Sequence, residues 1–336
     1  MPETYSLNKI TMKYSTLHLI MALIMAMVFA GLVSFVDVIL RIDFLQIEDR
    51  VNYLTLAENS SLWFTDILSQ PLIYIIIDKP LFKVVFFLLN SIGLTPIDAI
   101  RAVIFFSTAV TFFVMLTRCR IPLVAFVFLL FFDWFIANYI NSVRMGFATS
   151  LFLYASFYLK GRKQKFIFAL TTLIHYGFII VLGIIYFEYV LKKRKISVNK
   201  SILLTAALGV TFGLNVLVIS SFIGFGELSE RYVQFDGIFN VGFGALFFLC
   251  ILMIFLFQSS AFKSENLLSM MLITFYLSSV LFFPPISRIL ISTIVLILAS
   301  GFALRSYYRY LFIFLIVLYS AVFTVSGRYD GAVFFF

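Results

Sequence analysis

The sequence predicts an all-α polytopic integral membrane protein, and three observations lead to this fold class. Apolar residues make up 62% of the chain and charged residues only 12%, whereas an ordinary soluble domain is about one quarter charged. The mean hydropathy is +1.08. The apolar residues also fall in long runs, and about 20 apolar residues cross a bilayer as a helix. We expect about 9–11 transmembrane helices, with re-entrant or short half-helices and loops on the outer side.

The first apolar run follows Lys9 and Lys13 and is longer than the core of a signal peptide, so we interpret it as an uncleaved first helix. Residues 67–94 hold two shorter apolar runs, which form either two short spans or a hairpin at the membrane surface. We interpret 1–336 as a single transmembrane domain. The runs predicted to span the membrane are 17–36, 98–117, 121–140, 144–160, 201–223, 240–258, 266–283, 286–304 and 308–325.

Residues 166–190 decide the topology, because a basic cluster flanks them on each side, at 160–165 and at 192–195. A re-entrant hairpin keeps both clusters inside, as the positive-inside rule favours, whereas a single crossing sends one cluster outside. With the hairpin, 37–66 and 224–239 are outer loops. Re-entrant backbone is tolerated only where protein or water surrounds it, so the hairpin predicts a wet cavity near His175.

Two arginines lie at predicted outer helix starts, Arg144 after Asn141 and Arg288 after Pro284-Pro285. A charge within a membrane span costs at least about 2.5 kcal/mol, so its presence suggests a function. The planar guanidinium suits phosphate, and a helix amino terminus adds unpaired N–H groups. The two arginines therefore form a candidate site for phosphate or pyrophosphate. The alternative is that they reach lipid headgroups at the membrane surface.

His175 interrupts an otherwise apolar run together with Tyr176 and Gly177. A neutral imidazole at this position would serve as a base for an attacking hydroxyl, and a charged one would pair with phosphate. The alternative is a hydrogen-bonded histidine with a packing role.

Carboxylates and tyrosines in the outer loops are candidates for binding sugar hydroxyls, with an ordinary solvated loop as the alternative. Asp133 differs, because it lies in the outer half of a predicted span and is a candidate partner for an arginine. The loop candidates are Asp49, Tyr53, Tyr232 and Asp236, with Arg231 beside them.

Several classes of function are not supported by the sequence. The chain has no Walker loop, dinucleotide fingerprint, serine nucleophile elbow or HExxH motif. His18 and His175 lack carboxylates at ligand spacing, so we expect neither a metal nor a cofactor. The net charge of +9 is explained by cytoplasmic loops that face anionic lipid, and we expect no nucleic-acid partner.

The motifs around these candidates resemble those of the EpsG/Wzy-type polysaccharide polymerases, which include many O-antigen polymerases. The resemblance extends over about residues 15–305, and Asp78 stands where the family usually has Glu. The matching segments are Asn141-Ser-Val-Arg144-Met-Gly-Phe-Ala148, Lys160-Gly-Arg-Lys-Gln-Lys165, Leu173-Ile-His175-Tyr176, Glu48-Asp49-Arg-Val-Asn-Tyr53, Asp78-Lys-Pro80-Leu-Phe82, Arg231-Tyr232 and Arg288.

The resemblance implies a metal-independent glycosyltransferase of the bacterial inner membrane, with its active site facing the periplasm. It would transfer a glycan from an undecaprenyl-pyrophosphate donor to a lipid-linked acceptor, during O-antigen, lipopolysaccharide or exopolysaccharide biosynthesis. Arg144 and Arg288 would stabilise the leaving pyrophosphate, assisted by Arg231, and His175 would be a base or a phosphate ligand. Membrane lipid, a flippase and a chain-length regulator would be partners.

Other functions remain open at this point. A lipid-linked glycan flippase or another polysaccharide transporter would also hold arginines in a wet cavity. Transporters often show broken helices in both halves of the chain, and we find one candidate break, in 166–190. A membrane acyltransferase would also use a lone histidine, and a structural subunit would need no buried charge.

Overall fold

The computed structural model describes residues 16–47, 49–69, 80–119, 135–222, 238–283 and 286–325. Within these ranges the chain is helical and contains no strand, apart from its turns and short connections. The all-α prediction is therefore confirmed for this part of the chain. The α-helices are α1 (Thr16–Ser34), α2 (Val36–Leu40), α3 (Arg50–Glu58), α4 (Ser60–Ser69), α5 (Pro80–Ser91), α6 (Pro96–Arg118), α7 (Val143–Tyr158), α8 (Gly161–Ile174), α9 (Phe178–Lys193), α10 (Val198–Phe222), α11 (Ile238–Leu256), α12 (Ser260–Glu265), α13 (Leu267–Ser279), α14 (Ile286–Phe302) and α15 (Ser306–Val325).

Two shorter elements interrupt this series: a 3₁₀ turn at Phe44–Gln46 and a π-helix at Ile136–Asn141. The π-helix ends one residue before α7 begins. Most of the predicted span 121–140 lies outside the described residues. The other predicted spans coincide with helices whose bounds differ from the prediction by a few residues.

Two described helices, α1 and α6, are long and apolar enough to cross a membrane. Five further apolar stretches, within α5, α11, α13, α14 and α15, are shorter. Length and composition of this kind also occur in the buried core helices of soluble proteins. The membrane setting therefore stays a prediction.

The segment 37–66, predicted to be a loop, is mostly helical, with α2, the 3₁₀ turn, α3 and α4 in succession. Short helices with many polar residues lack the long apolar run by which the other helices are recognised. The helices of this segment are therefore a finding of the structure, and its position as an outer loop stays a prediction.

The described chain forms two compact units. One unit extends through Phe178 and includes the chain from Ile316 onward, and the other is Ile179–Leu315. The single-domain interpretation stays a prediction.

In the first unit, α1 packs on α6 in the antiparallel direction and α7 packs on α6 in the parallel direction. Asp37, just beyond α1, contacts Arg101 near the start of α6, while Phe29 meets Phe112 further along. Phe106, in the middle of α6, meets Phe147 near the start of α7, and Thr117 contacts Tyr158 near the two helix ends. The end of α1 and the starts of α6 and α7 therefore lie at one end of this unit, which we call the arginine end.

The residues of α1 are arranged in the opposite sense to a surface helix of a soluble protein. It buries the small residues Ala22, Ala26 and Ala30, mainly in its contact with α6. Its large apolar side chains are exposed, among them Leu17, Ile20, Met21, Leu23, Ile24, Met27, Val28 and Leu32. Small residues at a helix contact with large apolar residues outward is the pattern of helices packed in lipid.

In the second unit, α13 is the central helix and contacts α10, α11 and α14. Gly209 of α10 lies so close to α13 that a Cβ would be 2.8 Å from the carbonyl oxygen of Phe275. On another face, the hydroxyl groups of Ser269 and Ser300 are 2.7 Å apart and join α13 to α14. Small residues thus permit the close approach of these helices.

Candidate functional site

The structure describes some of the predicted site residues and not others. Asp133, Arg231, Tyr232 and Asp236 lie outside the described residues. Arg288 is the third residue of α14, in the second unit, so its predicted position at a helix start is confirmed. Asp49, Tyr53, Arg144 and His175 all belong to the first unit.

Arg144 is the second residue of α7, as predicted, and Tyr53 lies directly against it. The Tyr53 side chain is buried. Its hydroxyl is hydrogen-bonded to the side chain of Ser142 and to the backbone of Arg144. The first amides of a helix have no partner within the helix, and the Ser142 side chain makes no cap at this start. The Tyr53 oxygen therefore supplies the acceptor that the helix itself lacks for this backbone N–H.

The Arg144 guanidinium is close enough to interact electrostatically with the Tyr53 hydroxyl. Burial raises the pKa of that hydroxyl, and the Arg144 charge opposes this rise. Tyr53 thus stays a neutral phenol at ordinary pH. The Nε of Arg144 is buried and has no hydrogen-bond partner among the described residues. Arg144 therefore retains donor capacity at the place where the sequence predicts a phosphate.

Asp49 precedes α3 and is brought into the same group. It adopts a left-handed backbone conformation, with φ of 62°, which Asp tolerates better than most residues. Its backbone carbonyl accepts from the Tyr53 N–H at 3.1 Å. The charge of the Asp49 carboxylate adds to the rise in the Tyr53 pKa. The predicted Asp49–Tyr53 pair and Arg144 therefore belong to one cluster.

Arg50 lies between these residues and was not predicted as part of the site. Its side chain is 1% exposed. Its Nη2 donates to the carbonyl oxygen of Ile140 at 2.7 Å, and its guanidinium lies 5.1 Å from the centroid of the Phe44 ring. Burial lowers the pKa of Arg50 to about 10, since removal from water disfavours the charged form.

An ion pair completes the arginine end. Arg101 Nη2 donates to Asp37 Oδ2 at 2.6 Å, and both side chains are largely buried. The Arg101 guanidinium lies 5.1 Å from the Phe35 centroid and 5.9 Å from the Phe44 centroid. Arg50 and Arg101 thus approach the same Phe44 ring. Asp37 offsets their mutual repulsion, because its charge raises the Arg50 pKa while that of Arg101 lowers it.

His175 ends α8, and its ring geometry bears on its chemical role. The helix hairpin of α7 and α8 is antiparallel, with Gln164 bonded to the Ala155 carbonyl and Phe168 stacked on Phe152. This pairing directs the end of α8 toward the arginine end. His175 Nδ1 accepts from the Gly177 N–H at 3.2 Å. In a neutral ring the proton is then on Nε2, which makes this nitrogen a donor.

With its proton on Nε2, the neutral ring presents a donor at that nitrogen, whereas a general base must accept a proton there. The break at His175-Tyr176-Gly177 is confirmed, since α8 ends before it and α9 begins after it. The re-entrant course of 166–190 and the wet cavity stay predictions.

Asp37, Arg50 and Arg101 belong to this cluster and were not among the site residues predicted from the sequence. Arg101 carried a signal, namely a charge one turn inside an apolar run. Arg50 carried none, because a charged residue in a polar segment is ordinarily solvated. Its burial depends on a contact with Ile140, 90 residues away.

The cluster is rich in cations and lacks the donor set of a metal site. Among the described residues, no three His, Cys, Asp or Glu side chains form a group that could hold a metal ion. Arginine side chains with spare donors instead suit a phosphorylated anion.

Comparison with protein-family models, with curated proteins and with solved structures finds no match to this chain.

Proposed function

We propose that this chain is a polymerase of lipid-linked oligosaccharide repeat units, a glycosyltransferase of the bacterial inner membrane. It transfers a glycan from an undecaprenyl-pyrophosphate donor to a lipid-linked acceptor on the periplasmic side. The observation that carries the proposal is the arrangement of Tyr53 and Arg144 at the start of α7, with two further arginines at the same end of the unit.

The exposed surface of α1 supports the membrane setting. A helix that exposes most of its large apolar side chains is stable in lipid and prone to aggregate in water. In the proposed topology, about 9–11 helices span the bilayer and the arginine end faces the periplasm. Asp37 and Arg101 then lie near the membrane surface, where an ion pair is less costly than at the centre.

The arginines support the choice of substrate. When the acceptor hydroxyl oxygen bonds to the anomeric carbon, the bond from that carbon to the pyrophosphate oxygen breaks. The bonding electrons leave with undecaprenyl pyrophosphate, and the hydroxyl proton is released to water. Negative charge therefore grows on the leaving group. Donors that are already in place, such as Arg144, stabilise such charge without reorganising.

The other predicted residues take subsidiary roles in this proposal. His175 donates from Nε2 to a phosphate oxygen. Arg288 and Arg231 stay predicted phosphate ligands. Asp49 binds a sugar hydroxyl, as do Tyr232, Asp236 and Asp133. A flippase and a chain-length regulator are the proposed protein partners.

Deletion of the gene in its host, followed by gel analysis of the surface polysaccharide, tests this function. We expect a single repeat unit in place of a ladder of long chains. Wild-type protein restores the ladder, and so does Arg162→Ala, which changes an exposed residue of the inner basic cluster. Arg144→Ala does not restore it, although the variant accumulates to the same level.

Two outcomes would contradict the proposal. A full ladder in the deletion strain would exclude a required polymerase. Loss of all surface glycan, with lipid-linked repeats retained on the cytoplasmic side, would identify a flippase instead.

A further inference from the structure

We propose that Arg50 is a positioning residue, which holds the start of α7, and therefore Arg144, through its bond to the π-helix. The inference about Arg144 rests on the proposed function, whereas the mechanical coupling does not.

Arg50 is bonded to the end of the π-helix. The carbonyl groups at the end of a helix have no partner within the helix, and a positive charge is favourable there. Ile140 is the next-to-last residue of the π-helix, and Arg50 Nη2 donates to its carbonyl oxygen at 2.7 Å. A buried charge-assisted hydrogen bond is stronger than a neutral one.

Only a short connection separates this bond from Arg144. The π-helix ends at Asn141 and α7 begins at Val143, so Ser142 alone separates the two helices. Moving the Ile140 carbonyl therefore moves the first turn of α7.

Helix α3 makes a second contact with this junction, through Tyr53. Tyr53 follows Arg50 by one turn of α3 and is hydrogen-bonded to Ser142 and to the backbone of Arg144. Helix α3 thus holds the junction before α7 at two points, Ile140 and Arg144. The two contacts hold the backbone from which the Arg144 side chain extends.

Burying the charge of Arg50 costs free energy. Its Nε and Nη1 are buried without a hydrogen-bond partner among the described residues. A buried charge of this kind is expensive unless it is well paired. An apolar residue of similar length would fill the space at less cost, so the charge is explained by what it holds in place.

Amide hydrogen exchange of the purified full-length protein in detergent tests the coupling without any assumption about function. In Arg50→Met, we expect exchange in 138–147 to be about tenfold faster or more, as for a lost hydrogen bond to a charged group. Exchange in α10, in the other unit, should be unchanged. Arg41→Met is the matched control, because Arg41 is exposed in the same segment.

Arg50→Lys provides the conservative variant, since Lys keeps the charge and one donor. We expect its exchange rate in 138–147 to lie between those of the wild type and Arg50→Met. If Arg50→Met fails to accumulate, Arg50→Lys is compared with Arg41→Lys. Unchanged exchange in 138–147 in every Arg50 variant, or an equal increase in α10, would overturn the proposal.

A double-mutant comparison tests whether Arg50 acts through Arg144. Polymer synthesis is measured for Arg50→Met, for Arg144→Lys and for the double variant. If Arg50 acts by placing Arg144, the double variant is no worse than Arg144→Lys, because the interaction is already lost. Independent, multiplying losses would show a separate structural role for Arg50 and contradict the positioning role.

The two experiments separate the two proposals. If the wild type makes no polymer, the proposed function fails while the exchange result still decides the coupling. If the wild type makes polymer and the exchange is unaffected by Arg50, the function stands and the positioning role fails.

Discussion

At the scale of single residues, the arginine end combines side chains with different surroundings. Arg50 is enclosed and bonded to the Ile140 carbonyl, Arg101 is paired with Asp37, and Arg144 lies beside the Tyr53 hydroxyl. Each of the three has a buried Nε without a hydrogen-bond partner among the described residues. The arginines of this cluster therefore have different contacts, although they carry the same charge. Arg50 holds the backbone at Ile140 and Arg101 pairs with a carboxylate, whereas in the proposed function Arg144 binds the ligand.

Tyr53→Phe tests the hydroxyl that meets the start of α7. The change removes the bonds to Ser142 and Arg144 while the ring continues to pack on Phe82. A hydrogen bond of this kind contributes about 1 kcal/mol, so we expect about a fivefold loss of polymer synthesis. Tyr154→Phe, on the exposed side of α7, should leave synthesis unchanged. Equal activity of Tyr53→Phe and wild type would show that the hydroxyl is dispensable.

Asp37→Asn tests the buried ion pair. Removing one charge leaves Arg101 buried without its partner, which costs about 3–5 kcal/mol in comparable pairs. We therefore expect a clear fall in the thermal unfolding temperature in detergent.

Asp98→Asn is the matched control for that experiment, because Asp98 lies 3.7 Å from the same Arg101 but its side chain is 49% exposed. Exposed pairs contribute at most about 1 kcal/mol. Similar losses from the two substitutions would mean that the Asp37 pair is no more important than a surface contact.

At the scale of elements, the junction of the π-helix and α7 determines where Arg144 lies. Gly146 lies in the first turn of α7, and a Cβ there would be 2.4 Å from the carbonyl oxygen of Asn138. The backbone of the π-helix therefore passes directly against α7, and only glycine leaves room for it.

Gly146→Ala should force these two helices apart. Overpacking of this kind costs about 1–3 kcal/mol, and we expect both a lower unfolding temperature and loss of polymer. Gly183→Ala is the control, because Gly183 is helical with open space around it. That change should be neutral or stabilising by up to about 1 kcal/mol. Full activity of Gly146→Ala would contradict the close contact.

The sequence predicts some elements well and others poorly, for physical reasons. The long apolar helices α1 and α6 are recognised by their hydropathy, and Arg144 at a helix start follows from the end of an apolar run. The helices of 37–66 are missed because their polarity resembles that of a loop. The burial of Arg50 is missed because a contact across 90 residues leaves no local pattern.

At the scale of the whole molecule, the proposed function depends on which segments face the periplasm. One basic cluster precedes the stretch 166–190 and the other follows it. The re-entrant interpretation places both clusters on the inner side of the membrane.

Labelling of single cysteines in intact cells tests this topology. Both native cysteines, which are free, are first replaced by Ala, and single cysteines are placed at exposed positions. We expect Glu58→Cys to react with an impermeant reagent from outside, and Lys163→Cys and Lys193→Cys to react only after lysis. Reaction of Lys193→Cys in intact cells would show a single crossing. It would also change the predicted side of everything that follows.

We propose that this protein joins lipid-linked glycans and that Arg144 stabilises the leaving pyrophosphate. The most direct measurement uses purified full-length protein with undecaprenyl-pyrophosphate-linked repeat units, without nucleotide or added metal. We expect a ladder of lengthening lipid-linked glycans with the wild type. We expect about a hundredfold less product with Arg144→Lys, since Lys lacks the planar pair of donors and misplaces the charge. No elongation by the folded wild type would show that the protein is not this polymerase, and equal elongation by the variant would show that Arg144 does not stabilise the leaving group.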